Sequence, residues 1–271
     1  RQLREGGVVL SSGNAVSVCL VIPCYNHGPA LLRTLQALTA GQFLSPFACI
    51  LVDDGSDAQT AALLDALPAR YPGLSLLRHS ANQGKGGAVI SGLRQAAALG
   101  FSHALQLDAD GQHDVNDLPA LLALAQEMPA ALISGAPIYD ASAPAGRRYG
   151  RYLTHVWVWL ETASLAIKDS MCGLRIYPLA PVMRLLQQKP LGRRMDFDIE
   201  IMVRLYWAGV PVHFLPCHMN FLQKYLQKIA SPYQPPATMP WVSFSYLKLR
   251  TKKLRFVNQL VTKYKPMVTK S

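Results

Sequence analysis

The sequence contains no aspartate or glutamate after Glu200. Residues 201–271 carry eleven lysines and arginines, whereas residues 1–200 balance sixteen cations against sixteen acids. A neutral body followed by a basic tail predicts an anionic partner for the tail, such as an acidic membrane surface. Nucleic acid is excluded as a partner, because no recognition motif accompanies the charge. Charged residues are few, 16% of the total, and half the residues are apolar, which excludes a disordered chain. Long hydrophobic runs are also missing. The nearest approach to a membrane span, residues 152–167, is too short and holds Glu161, so no transmembrane helix is expected. No secretory leader pattern and no internal repeat is found. The five cysteines (Cys19, Cys24, Cys49, Cys172 and Cys217) lack the close spacing of a zinc knuckle or a redox motif. Reduced thiols in a cytoplasmic protein are therefore expected.

What is present is a repeating order of apolar runs, loops and helical patterns. Residues 16–23 and 47–52 are near-continuous apolar runs of strand length, the mark of strands covered on both faces. Shorter strands are expected at 74–78 and 103–107. Helical spacing follows each of the four, over 29–40, through residue 70, to about 99, and over 118–126. Strand, loop and helix alternating four times predict an α/β protein with a mostly parallel, Rossmann-like sheet flanked by helices. Further on, strands are expected at 131–134, 174–177 and 210–215. Helices are expected at 152–167, 180–188 and 195–207, with residues 140–151 as a loop. The organisation is thus a loose leader at 1–15, one domain at 16–216 and a basic C-terminal tail at 217–271.

The most informative stretch is 105–114, LQLDADGQHD. Asp108 and Asp110 follow an apolar run, as side chains at the carboxyl end of a buried strand do, and that edge is where open α/β sheets bind ligands. Two carboxylates so close repel unless a cation lies between them. A hard divalent ion, Mg²⁺ or Mn²⁺, suits them, with Gln112 adding an amide oxygen. A solvated acidic turn would also fit this motif taken alone. Asp53 and Asp54 follow the second strand in the same way, so four carboxylates are expected on one side of the sheet. A nucleotide diphosphate, with donors on its base and ribose, would complement them.

Four motifs in this order, VIPCYN (21–26), VDDGS (52–56), N-x-G-K-G-G (82–87) and DADGQH (108–113), resemble the family 2 glycosyltransferases of GT-A fold. The likeness covers roughly residues 16–216. Gln112, the run Cys172-Gly173-Leu174-Arg175 and the run Phe197-Asp198-Ile199-Glu200 make it most similar to the branch that uses dolichyl and other polyprenyl phosphates. The resemblance implies an inverting, metal-dependent transfer of a sugar from a UDP- or GDP-sugar to an acceptor such as a polyprenyl phosphate. It implies that Pro23, Tyr25, Asn26, Asp53 and Asp54 line the nucleoside pocket and that Lys85 meets the phosphates. Asp108, Asp110 and Gln112 would hold the metal, with Asp108 also touching ribose. Asp198, with Asp169 as second choice, would be the catalytic carboxylate.

Arg147, Arg148 and Arg151 are grouped as an acidic acceptor group would require, although a solvated basic loop carries such residues too. Asp196, Asp198 and Glu200 would also favour a helix N-terminus on stability grounds alone. The family's usual Gly-x-Ser-His-Phe run after the last strand is replaced by Asn220-Phe221-Leu222-Gln223-Lys224, so the tail is either a membrane-binding element or a divergent end. The expected location is cytoplasmic, peripheral at the inner face of the membrane. Two other functions share such a sheet. A sugar-phosphate nucleotidyltransferase should carry a Gly-rich, Arg-containing loop after the first strand, where Pro23-Cys24-Tyr25-Asn26 stands. A non-catalytic nucleotide-sugar binder would have no need of Asp108, Asp110 and Asp198 together.

Overall fold

The computed structural model describes residues 16–44, 48–138, 145–188 and 190–219, with the backbone alone for helical residues 145–153. The expected leader at 1–15 and tail residues 220–271 lie outside the described residues. Seven strands form one sheet: β1 (Val18–Cys24), β2 (Cys49–Asp53), β3 (Leu74–Arg78), β4 (His103–Gln106), β5 (Leu132–Pro137), β6 (Arg175–Pro178) and β7 (Val212–Cys217). Their order across the sheet is β3-β2-β1-β4-β6-β5-β7. All neighbours run parallel except β6, which is antiparallel to β4 and to β5.

The period of two along a strand explains the double burial. Leu20, Ile22 and Cys24 of β1 and Leu51 of β2 pack into one apolar cluster, with Leu31, Leu35 and Leu38 of helix α1 (Gly28–Ala40). The intervening Cys19, Val21, Ile50 and Val52 pack into a second cluster on the other face. That cluster includes Val89 and Leu93 of α4 (Lys85–Ala98). It also takes Val182 of α7 (Leu179–Gln188) and Ile201, Met202 and Leu205 of α8 (Phe197–Trp207). Helix α5 (Leu118–Glu127) covers the first face through Leu118, Leu121 and Ala125.

Two helices differ from the sequence expectation. The helix expected through residue 70 is two, α2 (Ala58–Asp65) and α3 (Leu67–Arg70). Pro68 has no N–H to donate back into α2, so the ladder stops there. The loop expected at 140–151 gives way at Ala145 to α6 (Ala145–Thr162). Gly146 and Gly150 read as loop residues, but single glycines cost a helix only about 1 kcal/mol each. The helix ends before residue 167 because Ala163 adopts a left-handed φ of 50°. None of the described helices is long and apolar enough to cross a membrane.

Candidate active site

The parallel strands β1, β2 and β4 deliver their loops to the same edge of the sheet, and the N-termini of α4 and α8 bring further side chains into contact with that edge. Asp53, the last residue of β2, is fully buried. Its Oδ1 accepts the Ser56 N–H at 3.0 Å, and its Oδ2 accepts from Arg78 Nε at 2.7 Å. Arg78 is its register partner on β3. Burial alone would raise the Asp53 pKa; Ser56 and Arg78 outweigh it and hold the carboxyl below its ordinary value.

Asp54 faces a different task. Its Oδ1 accepts the Gln83 N–H at 2.9 Å and its Oδ2 the Gly84 N–H at 2.8 Å. His79 Nδ1 lies 2.8 Å from the same Oδ1, and His79 Nε2 lies 2.9 Å from Ser91 Oγ. A carboxylate only accepts, so His79 Nδ1 carries the proton of that bond. Asp54 therefore fastens the glycine loop to β2. On the β1 side, Asn26 has φ 53°, donates its N–H to Ser56 Oγ at 3.1 Å and accepts the Asp57 N–H at 2.8 Å. Pro23 is half-buried at the end of β1, and Tyr25 is exposed beside it.

The glycine loop leads straight into α4, whose first residue is Lys85. Lys85 Nζ lies 2.9 Å from Asp108 Oδ2 and 2.9 Å from Asp198 Oδ2. Burial is the largest influence on this amine and favours the neutral form, but the two carboxylates together raise its pKa well above the ordinary lysine value. Asp108 is held low by the same ammonium against its own burial. Beneath them, Gln106 Nε2 faces Asp108 Oδ1 at 3.5 Å and Asp198 Oδ1 at 3.4 Å. Tyr177 donates its hydroxyl to Gln106 Oε1 at 2.9 Å, which fixes the amide so that its NH₂ points at the carboxylates. Burial raises the Tyr177 phenol to about 12, so it remains a donor. Gln106 and Tyr177 were not among the sequence candidates. One signal was legible: a polar residue inside the apolar run of β4, two before Asp108 and hence on its face.

Asp198 sits in the first turn of α8, where the positive helix end favours a carboxylate. Fully buried Arg175 donates from Nη1 to the Asp198 carbonyl at 2.5 Å and from Nη2 to the Ser170 carbonyl at 2.8 Å. It thus joins α8 to the loop at 169–174. Gly173 of that loop lies against Asp108. A Cβ there would meet Asp108 Oδ1 at 2.7 Å, with Oδ2 closer still. Gly86 likewise admits the loop before α8: a Cβ would fall 2.7 Å from the Gly192 carbonyl oxygen. Gly87 N–H donates to the Arg193 carbonyl at 2.9 Å, and Arg193 Nη1 to Gln83 Oε1 at 3.1 Å.

Asp110 and Gln112 share the turn at Gly111, with the Gln112 N–H donated to Asp110 Oδ1 at 3.1 Å and the Gln112 amide against Oδ2. Asp169 is buried, and its Oδ1 accepts the N–H groups of Met171 and Cys172, both at 2.8 Å. Asp169 shapes the turn that carries Gly173. Arg147, Arg148 and Arg151 fall in the first two turns of α6, and their side chains lie outside the described residues.

Solved structures share this architecture. Glucosyl-3-phosphoglycerate synthase of Mycobacterium tuberculosis aligns at TM-score 0.57 and 14% identity over 81% of this chain and 73% of its own. A mannosyltransferase of Pyrobaculum calidifontis, in complex with GDP-Man and Mn²⁺, aligns at TM-score 0.53 and 17% identity over 81% and 66%. The fold is the GT-A glycosyltransferase fold. The family model of glycosyl transferase family 2 matches residues 19–192, and the chain belongs to that family. Among curated relatives, an undecaprenyl-phosphate mannosyltransferase of Micrococcus luteus is 34% identical over 105 residues, 39% of this chain and 42% of the relative. A dolichyl-phosphate β-glucosyltransferase of Dictyostelium discoideum is 24% identical over 215 residues, 73% of this chain and 64% of the relative. The chain thus spans less than two thirds of each of these relatives' length.

Proposed function

We propose that the chain transfers a sugar, with inversion, from a UDP- or GDP-sugar to the phosphate of a polyprenyl-phosphate acceptor. The observation that carries this reading is the Lys85 ammonium clasped between Asp108 and Asp198 at the carboxyl edge of the sheet. Relatives named for undecaprenyl and dolichyl phosphates support the acceptor class. A solved neighbour holding GDP-Man with Mn²⁺ supports the donor class.

In this reading an acceptor phosphate oxygen attacks the anomeric carbon from the face opposite the diphosphate. The bond from that carbon to the diphosphate oxygen breaks, and the nucleoside diphosphate leaves with the electron pair. A phosphate monoester is already ionised near neutral pH, so Asp198 chiefly orients the acceptor and takes a proton only where one remains. Asp169 supports that wall through its turn. Lys85 spends two N–H groups on Asp108 and Asp198, and its third is left for a diphosphate oxygen. Asp53, with Pro23, Tyr25 and Asn26, borders the nucleoside, while Asp54 acts through the glycine loop it anchors. Arg147, Arg148 and Arg151 receive the acceptor phosphate.

The residues fit a hard divalent ion. Asp108, Asp110 and Gln112 can each offer an oxygen, and Gly173 keeps a methyl group off the Asp108 carboxylate. Mg²⁺ or Mn²⁺ on these residues would neutralise the charge of the diphosphate. The basic tail at 217–271 would hold the enzyme on an anionic membrane surface. Deleting residues 231–271 is expected to abolish binding to anionic vesicles; unchanged binding would remove the tail from this reading. The deciding experiment is turnover of a panel of UDP- and GDP-sugars with Mg²⁺ or Mn²⁺ and a short-chain polyprenyl phosphate. Metal-dependent use of one donor, lost in Asp110→Ala, is expected. No metal-dependent donor binding would overturn the reading.

A further inference from the structure

Three chain segments that are distant in sequence bring soft ligand atoms together beside the donor site. His113 follows the Asp110–Gln112 turn, Cys172 precedes Gly173, and Cys217 ends β7. One ring nitrogen of His113 and the two sulfurs all lie within 4.8 Å of one another. The three residues are buried, and His113 Nδ1 has no hydrogen-bond partner among the described residues. An unsatisfied buried donor or acceptor costs about 1–3 kcal/mol, a cost that a partner from outside the polypeptide would relieve. The neighbouring strand makes room for the sulfurs: a Cβ at Gly135 of β5 would lie 2.8 Å from Cys217 Sγ and 3.1 Å from Cys172 Sγ.

We propose that His113, Cys172 and Cys217 form a binding site for a thiolate-seeking metal ion of the zinc class, separate from the oxygen ligands at Asp108 and Asp110. Two thiolates and an imidazole select Zn²⁺ over Mg²⁺ or Mn²⁺. Zinc bonds of about 2.3 Å to sulfur and 2.0–2.1 Å to nitrogen set ligand atoms roughly 3.5–3.8 Å apart, so the cluster has to close by at most about 1 Å on binding. Two thiolates neutralise the ion, and one position of the tetrahedron remains for water or a small ligand. The ion would act as a strut. It joins the loop after the acidic turn to the loop that presents Gly173 to Asp108, and it ties both to the end of the sheet. The isolated bridge between His113 and Met219 already joins the first loop to the residues just after β7.

The test needs no catalytic assay, so it stands apart from the transferase reading. The full 271-residue chain is stripped with a chelator, reloaded with Zn²⁺, and its zinc content and affinity are measured. Co²⁺ serves as an optical probe of thiolate ligation. One molar equivalent of zinc and a sulfur-to-cobalt charge-transfer band are expected. Both should survive in Asp110→Ala, while Cys172→Ser and Cys217→Ser should bind at least about tenfold more weakly. Unchanged zinc affinity in both serine variants, or cobalt bound without the sulfur band, would overturn the proposal. Should the variants not fold, thiol alkylation of the unmodified chain decides. Zn²⁺ should protect Cys172 and Cys217, and equal labelling with and without zinc would refute the site.

Discussion

Lys85 Nζ is 2.9 Å from Asp198 Oδ2, an ion pair between the first residue of α4 and the first turn of α8. The same ammonium holds Asp108 at 2.9 Å, so one cation registers two helices against the end of β4. The two carboxylates can lie close together only because that charge separates them.

Asp198→Asn keeps the shape of the side chain and removes its charge. Under the proposed mechanism kcat falls roughly 100-fold, the scale of a lost positioning group. The donor KM stays nearly constant, because Asp108, Asp110 and Gln112 are intact. Steady-state kinetics with the donor and acceptor varied separately check this. A raised donor KM with kcat preserved would move Asp198 to donor binding.

Gly173→Ala pushes a methyl group into the Asp108 carboxylate. The expected result is a folded protein whose Mn²⁺ affinity is about 10-fold weaker, the scale seen when groups around a metal ligand are disturbed. Titration calorimetry with Mn²⁺ and the nucleoside diphosphate reads it, and wild-type affinity would refute the assigned contact.

Arg175 is wholly buried and donates to the carbonyls of Ser170 and Asp198. Arg175→Met fills the space but strands two acceptors, so a loss of at least about 2 kcal/mol is expected in urea denaturation. Arg175→Lys should recover little, since a single ammonium cannot span both carbonyls in the geometry of a guanidinium.

Asp53 gives a pH signature. Its folded pKa is depressed by Ser56 and Arg78 despite burial. The stability it contributes is therefore complete above the unfolded value of about 3.9 and is lost as pH falls through the lower folded value. Wild type should exceed Asp53→Asn in urea midpoint at pH 7, and the gap should shrink below about pH 4. A gap constant from pH 7 to 3 would argue against the ion pair with Arg78.

The sheet was largely legible because its strands are covered on both faces and so read as unbroken apolar runs, such as residues 47–52. The mostly parallel run of the strands was legible too, and the reversal of β6 was not. Nothing in the four residues of β6, Arg175 to Pro178, marks their direction, yet the strand lies antiparallel between β4 and β5. The acidic turns declared themselves because Asp108 and Asp110 stand directly after an apolar strand. The partner of Asp108 did not: Lys85 and Asp198 are remote in sequence, and only the packing of α4 and α8 on one face of the sheet sets them together.

Local sequence fixed what depends on near neighbours: strand periodicity, the break at Pro68, and the turn at Gly111 that pairs Asp110 with Gln112. Tertiary structure alone decided which charges are neutralised and which ligands converge. Asp54 serves the glycine loop because Gln83 and Gly84 fold back onto it. The His113, Cys172 and Cys217 cluster has no spacing signature, since it is assembled from a loop after β4, a loop before β6 and the end of β7. Such contacts depend on distance in space, which the order of residues along the chain does not carry.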